Sequence, residues 1–163
     1  MHTKTLTKTA LLTAVALVVF TIEAQLPPPV AMPGVKLGLS NIFVVYALYA
    51  LGAKHALLLL LGKVCLGSLL AGRGVGFFYS LAGGLLCLAV MVLMKGALAR
   101  QQMWVCSAIG AVAHNAGQLA VAVALSGTWR ALAYGPVLVV SGILTGVFTG
   151  LAAQLVHSRL HKN

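Results

Sequence analysis

The chain has 163 residues, of which 61% are hydrophobic and only 7% are charged, whereas soluble globular domains carry about 25% charged residues. This composition excludes an ordinary water-soluble globule and predicts an all-α membrane protein, because about 20 apolar residues in a helix cross a hydrocarbon core of about 30 Å. The net charge of +10 comes from basic residues scattered along the chain, not from a basic tract, so we expect no nucleic acid partner.

Six apolar segments follow one another along the chain and predict a six-helix transmembrane bundle that forms a single membrane domain over residues 1–163. The first segment ends at PPPVAMPG (27–34), because proline lacks an amide donor and disfavours helix at the residue before it. The glycine-rich stretch GRGVG (72–76) predicts a turn. The predicted spans are 7–25, 37–52, 56–71, 77–95, 104–125 and 134–157.

The basic residues predict the orientation of the bundle. With the N-terminus inside, the inner ends of the spans hold seven lysines and arginines and the outer loops hold three. Cytoplasmic loops are enriched in these residues. We therefore predict cytoplasmic termini, an outward-facing proline-rich segment, and a multi-pass protein of the cell (cytoplasmic) membrane.

Small residues recur at every fourth position on several segments. Gly142, Gly146 and Gly150 do so on the sixth segment and predict close helix packing, because small side chains let helix backbones approach each other. Ala10 and Ala14 have the same spacing on the first segment, near its predicted cytoplasmic end. Packing within the bundle and docking of a partner are both compatible with this pair.

Glu23 is the only acidic residue in the chain. Binding of magnesium diphosphate requires clustered carboxylates, and acid–base catalysis by paired carboxylates requires two of them. The chain also has no Walker-type phosphate loop. We therefore expect no autonomous enzyme activity, no ATP hydrolysis by this chain alone, and neither a bound metal nor a cofactor.

Lys63 lies in the middle of the apolar run LLLLLGKVCLGSLL (57–70). A charge in this position costs about 2.5–3.5 kcal/mol on insertion scales, and such residues usually face the bundle interior or a wet cavity. Two interpretations are open. Lys63 could pair with Glu23 or with helix C-terminal carbonyls for structural reasons, or it could line a cavity that binds a ligand.

A second polar cluster lies in AVAHNAGQLAV (111–121). His114 and Gln118 are four residues apart and Asn115 and Gln118 three apart, so they are neighbours on one side of a helix. Three hydrogen-bonding side chains in one apolar span are costly unless they are satisfied. They could bond to other helices, or they could form the polar wall of a substrate site.

Further candidates are Lys36 and Asn41, just after the proline-rich segment, and Tyr79 on the outer half of the fourth span. We predict one cavity with several cationic or donor groups against a single carboxylate, so its ligand should be anionic or rich in acceptors, with a partly hydrophobic body. The predicted cavity residues are Lys36, Lys63, His114, Asn115 and Gln118, with Arg73 near the rim.

Four sequence blocks carry a resemblance to a known family. Together they resemble the Gx transporter family, also labelled heptaprenyl diphosphate synthase component I, and that family is similar to the S components of energy-coupling-factor (ECF) transporters. The resemblance implies six helices that bind a vitamin-like solute near the outer face. The blocks are PGVKLGLSNI (33–42), YSLAGGLL (79–86), GAVAHNAGQL (110–119) and VLVVSGILTG (137–146).

The resemblance also implies roles for two groups of residues. The loop after the first helix would act as a lid, and an AxxxA motif on the first helix would dock a T subunit that couples to two ATPases. In this sequence Ala10 and Ala14 match the docking motif. The residues that match the lid are Pro27, Pro28, Pro29, Pro33 and Gly34.

Three functions follow from these observations. The favoured one is a substrate-binding component of a membrane transporter for a vitamin-, flavin- or isoprenoid-like solute. The alternative is a non-transporting accessory or scaffold subunit for quinone, isoprenoid or extracellular electron-transfer machinery. The third is the prenyl diphosphate synthase role that the family label states. In each case, lipid surrounds the protein.

Overall fold

The computed structural model describes residues 3–25, 38–71 and 74–160, and these residues form helices and connecting turns without a strand. Two short 3₁₀ helices, Arg100–Gln102 and Trp129–Tyr134, precede the last two α-helices. The predicted all-α membrane bundle is confirmed. The described residues form six α-helices, which are α1 (Thr3–Gln25), α2 (Asn41–Ala50), α3 (Ala53–Ala71), α4 (Gly74–Lys95), α5 (Met103–Ser126) and α6 (Gly135–Leu160).

Five helices, α1, α3, α4, α5 and α6, are long and apolar enough to cross a membrane. Their outer surfaces carry exposed leucines such as Leu69 and Leu93, which are 77% and 72% exposed. Exposed apolar side chains of this kind suit contact with lipid chains. The bundle therefore has the construction of a multi-pass membrane protein.

The second helix is shorter than the predicted span of 37–52. It has 10 residues, or about 15 Å at 1.5 Å per residue, which is about half of a hydrocarbon core. Leu39 and Ser40 form a turn before it, and it ends where the amides of Leu51 and Gly52 both donate to the carbonyl of Ala47. Gly52 has a φ of 94°, a backbone conformation that glycine adopts without steric cost.

The length of α2 determines how far along α3 its first residue lies. The turn at Leu51 and Gly52 joins α2 to α3, and the two helices pack against each other. Asn41 lies nine residues before the end of α2, and Lys63 lies ten residues after the start of α3. Both are thus about 15 Å from the turn, so the N-terminus of α2 lies beside the middle of α3.

Lysines bond to both ends of α2. At its start, Lys63 Nζ donates to Ser40 Oγ and Asn41 Oδ1 at 3.2 and 2.8 Å. At its end, Lys95 Nζ donates to the carbonyl oxygen of Leu48 at 2.7 Å and lies 5.3 Å from the ring centroid of Tyr49. A cation near a helix C-terminus is favourable, so Lys95 holds the buried helix at the end opposite to Lys63.

Glycines bring α5 close to its two neighbours. A Cβ atom at Gly146 would lie 2.6 Å from Ala108 Cα, and one at Gly150 would lie 2.5 Å from Trp104 Cα. A Cβ at Gly117 would lie 2.9 Å from the carbonyl oxygen of Ala82 on α4. The α4–α5 and α5–α6 contacts thus depend on side chains no larger than hydrogen at these positions, and they fix the α5 residues that face the interior.

Candidate functional site: a polar cavity at the middle of the bundle

A cavity at the N-terminal end of α2 brings together residues of all six helices. Its volume is about 60 Å³, which is room for about two water molecules. Its polar lining contains one lysine, one glutamate and several uncharged hydrogen-bonding groups. These residues are Glu23, Ser40, Asn41, Lys63, Ser80, His114, Asn115, Gln118 and Thr145.

Lys63 is the buried cation of this cavity, with only 3% of its surface exposed. Its ammonium carries three N–H donors, and two of them point to Ser40 and Asn41. The oxygens of these two side chains thus solvate the charge at the start of α2. The ammonium also faces the cavity, so a ligand oxygen that enters the cavity can approach it without competition from lipid.

Glu23 reaches the same cavity from the last turns of α1. Its Oε1 accepts a hydrogen bond from the backbone amide of Gly38, and this bond ties the end of α1 to the turn before α2. Among the described residues, the cavity therefore holds one positive and one negative side chain. Lys36 and Arg73, which supplied much of the predicted excess of positive charge, lie outside the described residues.

The three polar residues of α5 line the cavity together, as their spacing predicts. Asn115 Nδ2 donates to the carbonyl oxygen of Leu138 at 2.6 Å, so this amide also bonds α5 to α6. His114 packs beside α4, since a Cβ at Gly83 would lie 3.0 Å from its Nε2. Asn115 thus bonds two helices together, and all three side chains line the cavity.

Gln118 differs from its two neighbours on α5. Its side chain is 7% exposed, and its Oε1 is buried without a hydrogen-bond partner among the described residues. A buried unsatisfied acceptor costs about 1–3 kcal/mol, so it requires a compensating partner. A donor supplied by a ligand or by water in the cavity would remove this cost.

Tyr79 and Gln118 line a second, larger space, which we call the lateral groove. It lies between α4, α5, the 3₁₀ helix Trp129–Tyr134 and the start of α6, and its volume is about 420 Å³. Ser80, the residue after Tyr79, lines both this groove and the polar cavity. Tyr79 itself is not part of the lining of the polar cavity.

Four residues that line the cavity were not predicted from the sequence. Phe20, Ser40, Ser80 and Thr145 all line the cavity. Two of them adjoin predicted site residues in the sequence, since Ser40 precedes Asn41 and Ser80 follows Tyr79. This adjacency could have identified both serines as candidates. Serine and threonine are too common in membrane helices for Thr145 to attract attention by itself.

Of the remaining predicted residues, Ala10 and Ala14 are exposed on α1. The opposite side of this helix packs on α3, where Thr9 and Ala16 are buried. The alanine pair therefore takes no part in the packing core and lies on the outer surface of the described bundle. The segment predicted to be a lid, Pro27, Pro28, Pro29, Pro33 and Gly34, lies outside the described residues.

These features define a helical, multi-pass membrane protein with a polar cavity and a buried lysine inside its bundle. The chain belongs to the family described as heptaprenyl diphosphate synthase component I, whose model matches residues 12–156. Comparison with curated proteins and with solved structures gave no match. The predicted family label is thus confirmed, whereas no comparison bears on the predicted similarity to S components.

Proposed function

We propose that the chain is the substrate-binding component of a small-molecule transporter in the cytoplasmic membrane. The observation that carries this proposal is the buried Lys63, which faces a cavity lined by all six helices. Ionisable residues inside membrane bundles commonly mark substrate or ion pathways. Transporters also place their binding sites near the midplane, at the ends of interrupted or short helices, and Lys63 lies beside the start of the short α2.

The chemistry of the lining supports a ligand with both acceptors and donors. Lys63 offers N–H donors to an anionic or acceptor-rich group, whereas Gln118 Oε1 requires a donor. Vitamin-like and flavin-like solutes and isoprenoid phosphates carry both kinds of group in one molecule. We propose that such a ligand enters from the outer side and that an energising complex, with a T subunit and ATPases, binds the exposed Ala10 and Ala14 on α1.

Ligand binding can be tested with the purified protein. We expect thermal-shift screening of flavins, quinones and prenyl phosphates to find a stabilising compound. Its effect should be lost in Lys63→Ala and in His114→Ala, while Leu144→Ala, at an exposed position on α6, should respond like the wild type. A stabilising compound that acts equally on all four proteins would remove the proposed site.

The small size of the cavity favours a second candidate function. About 60 Å³ holds water but no vitamin-sized molecule, and Ser40 and Asn41 already solvate Lys63. These facts suit a non-transporting accessory subunit of quinone, isoprenoid or electron-transfer machinery, whose polar residues mainly satisfy one another. This candidate predicts that reconstituted vesicles accumulate no solute, even with the ATPase module present, whereas the transporter predicts ATP-dependent accumulation.

The synthase activity in the family label has less support from the residues. Glu23 is the only carboxylate of the chain, so this chain cannot provide the carboxylate cluster that holds magnesium diphosphate. Any contribution to prenyl transfer would therefore depend on a partner that supplies those carboxylates. An assay for prenyl transfer with the purified chain alone should give no product.

A further inference from the structure

We propose that the polar cavity and the lateral groove form one binding site for a single-chain amphiphile, with its compact head group beside Lys63 and its apolar body in the groove. This inference rests on the proposed ligand-binding function and names the class of ligand. The two spaces differ in size. The polar cavity, with about 60 Å³, has room for a head group only, whereas the groove, with about 420 Å³, falls within the range of about 300–1,000 Å³ typical of ligand pockets.

The two spaces share Ser80 and Gln118 in their linings. Ser80 belongs to α4 and Gln118 to α5. These helices approach closely at Gly83 and Gly117, so their contact leaves little freedom for the backbone to shift. The side chains of Ser80 and Gln118 form the boundary that a bound amphiphile would cross.

The chemistry changes along the line from cavity to groove. Lys63, His114 and Asn115 line the polar cavity and not the groove, whereas Leu119, Ala122 and Leu138 line the groove and not the cavity. A ligand that spans both spaces therefore needs a polar end and an apolar end. The groove adjoins the segment Trp129–Tyr134, in which Trp129 is 76% exposed, and aromatic residues of this kind favour the membrane interface.

The head group is defined by two partners. The charged Lys63, which lines the cavity and donates to Ser40 and Asn41, attracts an anionic acceptor. Gln118 Oε1, which is more than nine-tenths buried and lacks a partner among the described residues, requires a donor. A phosphate monoester in its singly ionised form supplies both, because its oxygens accept and its P–O–H donates.

The test uses the full chain in lipid nanodiscs of one fixed composition, with decyl phosphate, decanol and inorganic phosphate as probes. We expect decyl phosphate to bind at least about ten-fold more tightly than either probe that lacks one half of the amphiphile. Ala122→Trp fills the groove and should weaken decyl phosphate binding by at least about ten-fold, and inorganic phosphate binding should not change. Leu93→Trp, on the exposed side of α4, is the matched control and should bind like the wild type.

Ala131→Trp enters the same groove from the 3₁₀ helix and replaces Ala122→Trp if that variant fails to fold. Equal affinities for decyl phosphate and inorganic phosphate, or equal effects of the groove variants and Leu93→Trp, would overturn the two-part site. If Lys63→Met abolishes binding while the groove variants do not, the proposed function stands and this inference falls. If the groove variants weaken decyl phosphate binding and Lys63→Met does not, the groove holds a lipid chain and the two-part site is contradicted.

Discussion

Lys63 Nζ on α3 lies 2.8 Å from Asn41 Oδ1 at the first residue of α2. This contact joins the middle of a membrane-spanning helix to the beginning of a helix half as long. It explains how a charge is accommodated within an apolar run, because side-chain oxygens replace the water that the ammonium loses. It also leaves Lys63 on the wall of a cavity instead of sealing it within the packed core.

Asn41→Leu should destabilise the protein, because it removes an acceptor from a buried charge. Hydrogen bonds to charged groups contribute about 1.5–3 kcal/mol, and we expect a loss of this size in the free energy of unfolding. Unfolding in a mild detergent with increasing denaturant measures it. Gln25→Leu, at an exposed position on α1, is the control. Equal stability of the two variants would mean that Asn41 does not solvate Lys63.

Gln118→Leu should separate stability from binding. The substitution removes a buried acceptor that has no partner among the described residues, so the free energy of unfolding in the absence of ligand should stay equal or increase. Ligand affinity should fall by about ten-fold, or about 1.4 kcal/mol, because the ligand loses its acceptor. Thermal unfolding with and without the stabilising compound measures both quantities. If the variant is less stable and binds the compound normally, Gln118 has a structural role only and does not contact the ligand.

Gly150→Ala should destabilise the contact between α5 and α6. The added Cβ would lie 2.5 Å from Trp104 Cα, a backbone atom that cannot move without its helix, and overpacking of this kind costs about 1–3 kcal/mol. Gly74→Ala at the start of α4 is the control, because nothing beyond its chain neighbours and its own helix backbone lies within 4 Å of the added Cβ. Similar unfolding midpoints for both variants would contradict the close packing at Gly150.

Ala14→Leu should weaken recovery of an energising partner in a pull-down experiment, because a larger side chain on an AxxxA surface separates the docked helices. We expect at least about a ten-fold loss. The α5 variants Ala116→Leu and Ala120→Leu provide the control, since these alanines have the same spacing and are also exposed. Undiminished recovery with Ala14→Leu would exclude docking through this surface.

Hydropathy sufficed to predict the five long helices, because each contains enough apolar residues to cross a membrane. It could not predict the length of α2, because Leu37 and Leu39 continue the apolar run while the turn at Leu39 and Ser40 precedes the helix. Hydropathy records composition, and it does not record where the backbone turns. The position of Lys63 within its span predicted that it is buried in the bundle, and its exposed fraction is 3%.

The candidate site was predictable only where one helix carries several of its residues. Helical spacing placed His114, Asn115 and Gln118 together, and all three line the cavity. Contacts between helices leave no such signal in one sequence, as with Lys63 and Asn41, which are 22 residues apart. Tyr79 shows a related limit, since successive helical residues differ in direction by about 100° and Ser80 reaches the polar cavity instead.

The central claim is that Lys63 forms part of a ligand site, and Lys95 provides a matched comparison. Both lysines bond to an end of α2, but only Lys63 lines the polar cavity. The most direct measurement is mass spectrometry of small molecules extracted from purified wild type, Lys63→Met and Lys95→Met. We predict a compound that accompanies the wild type and Lys95→Met and is missing from Lys63→Met. The same compound at equal occupancy in all three proteins would contradict the claim.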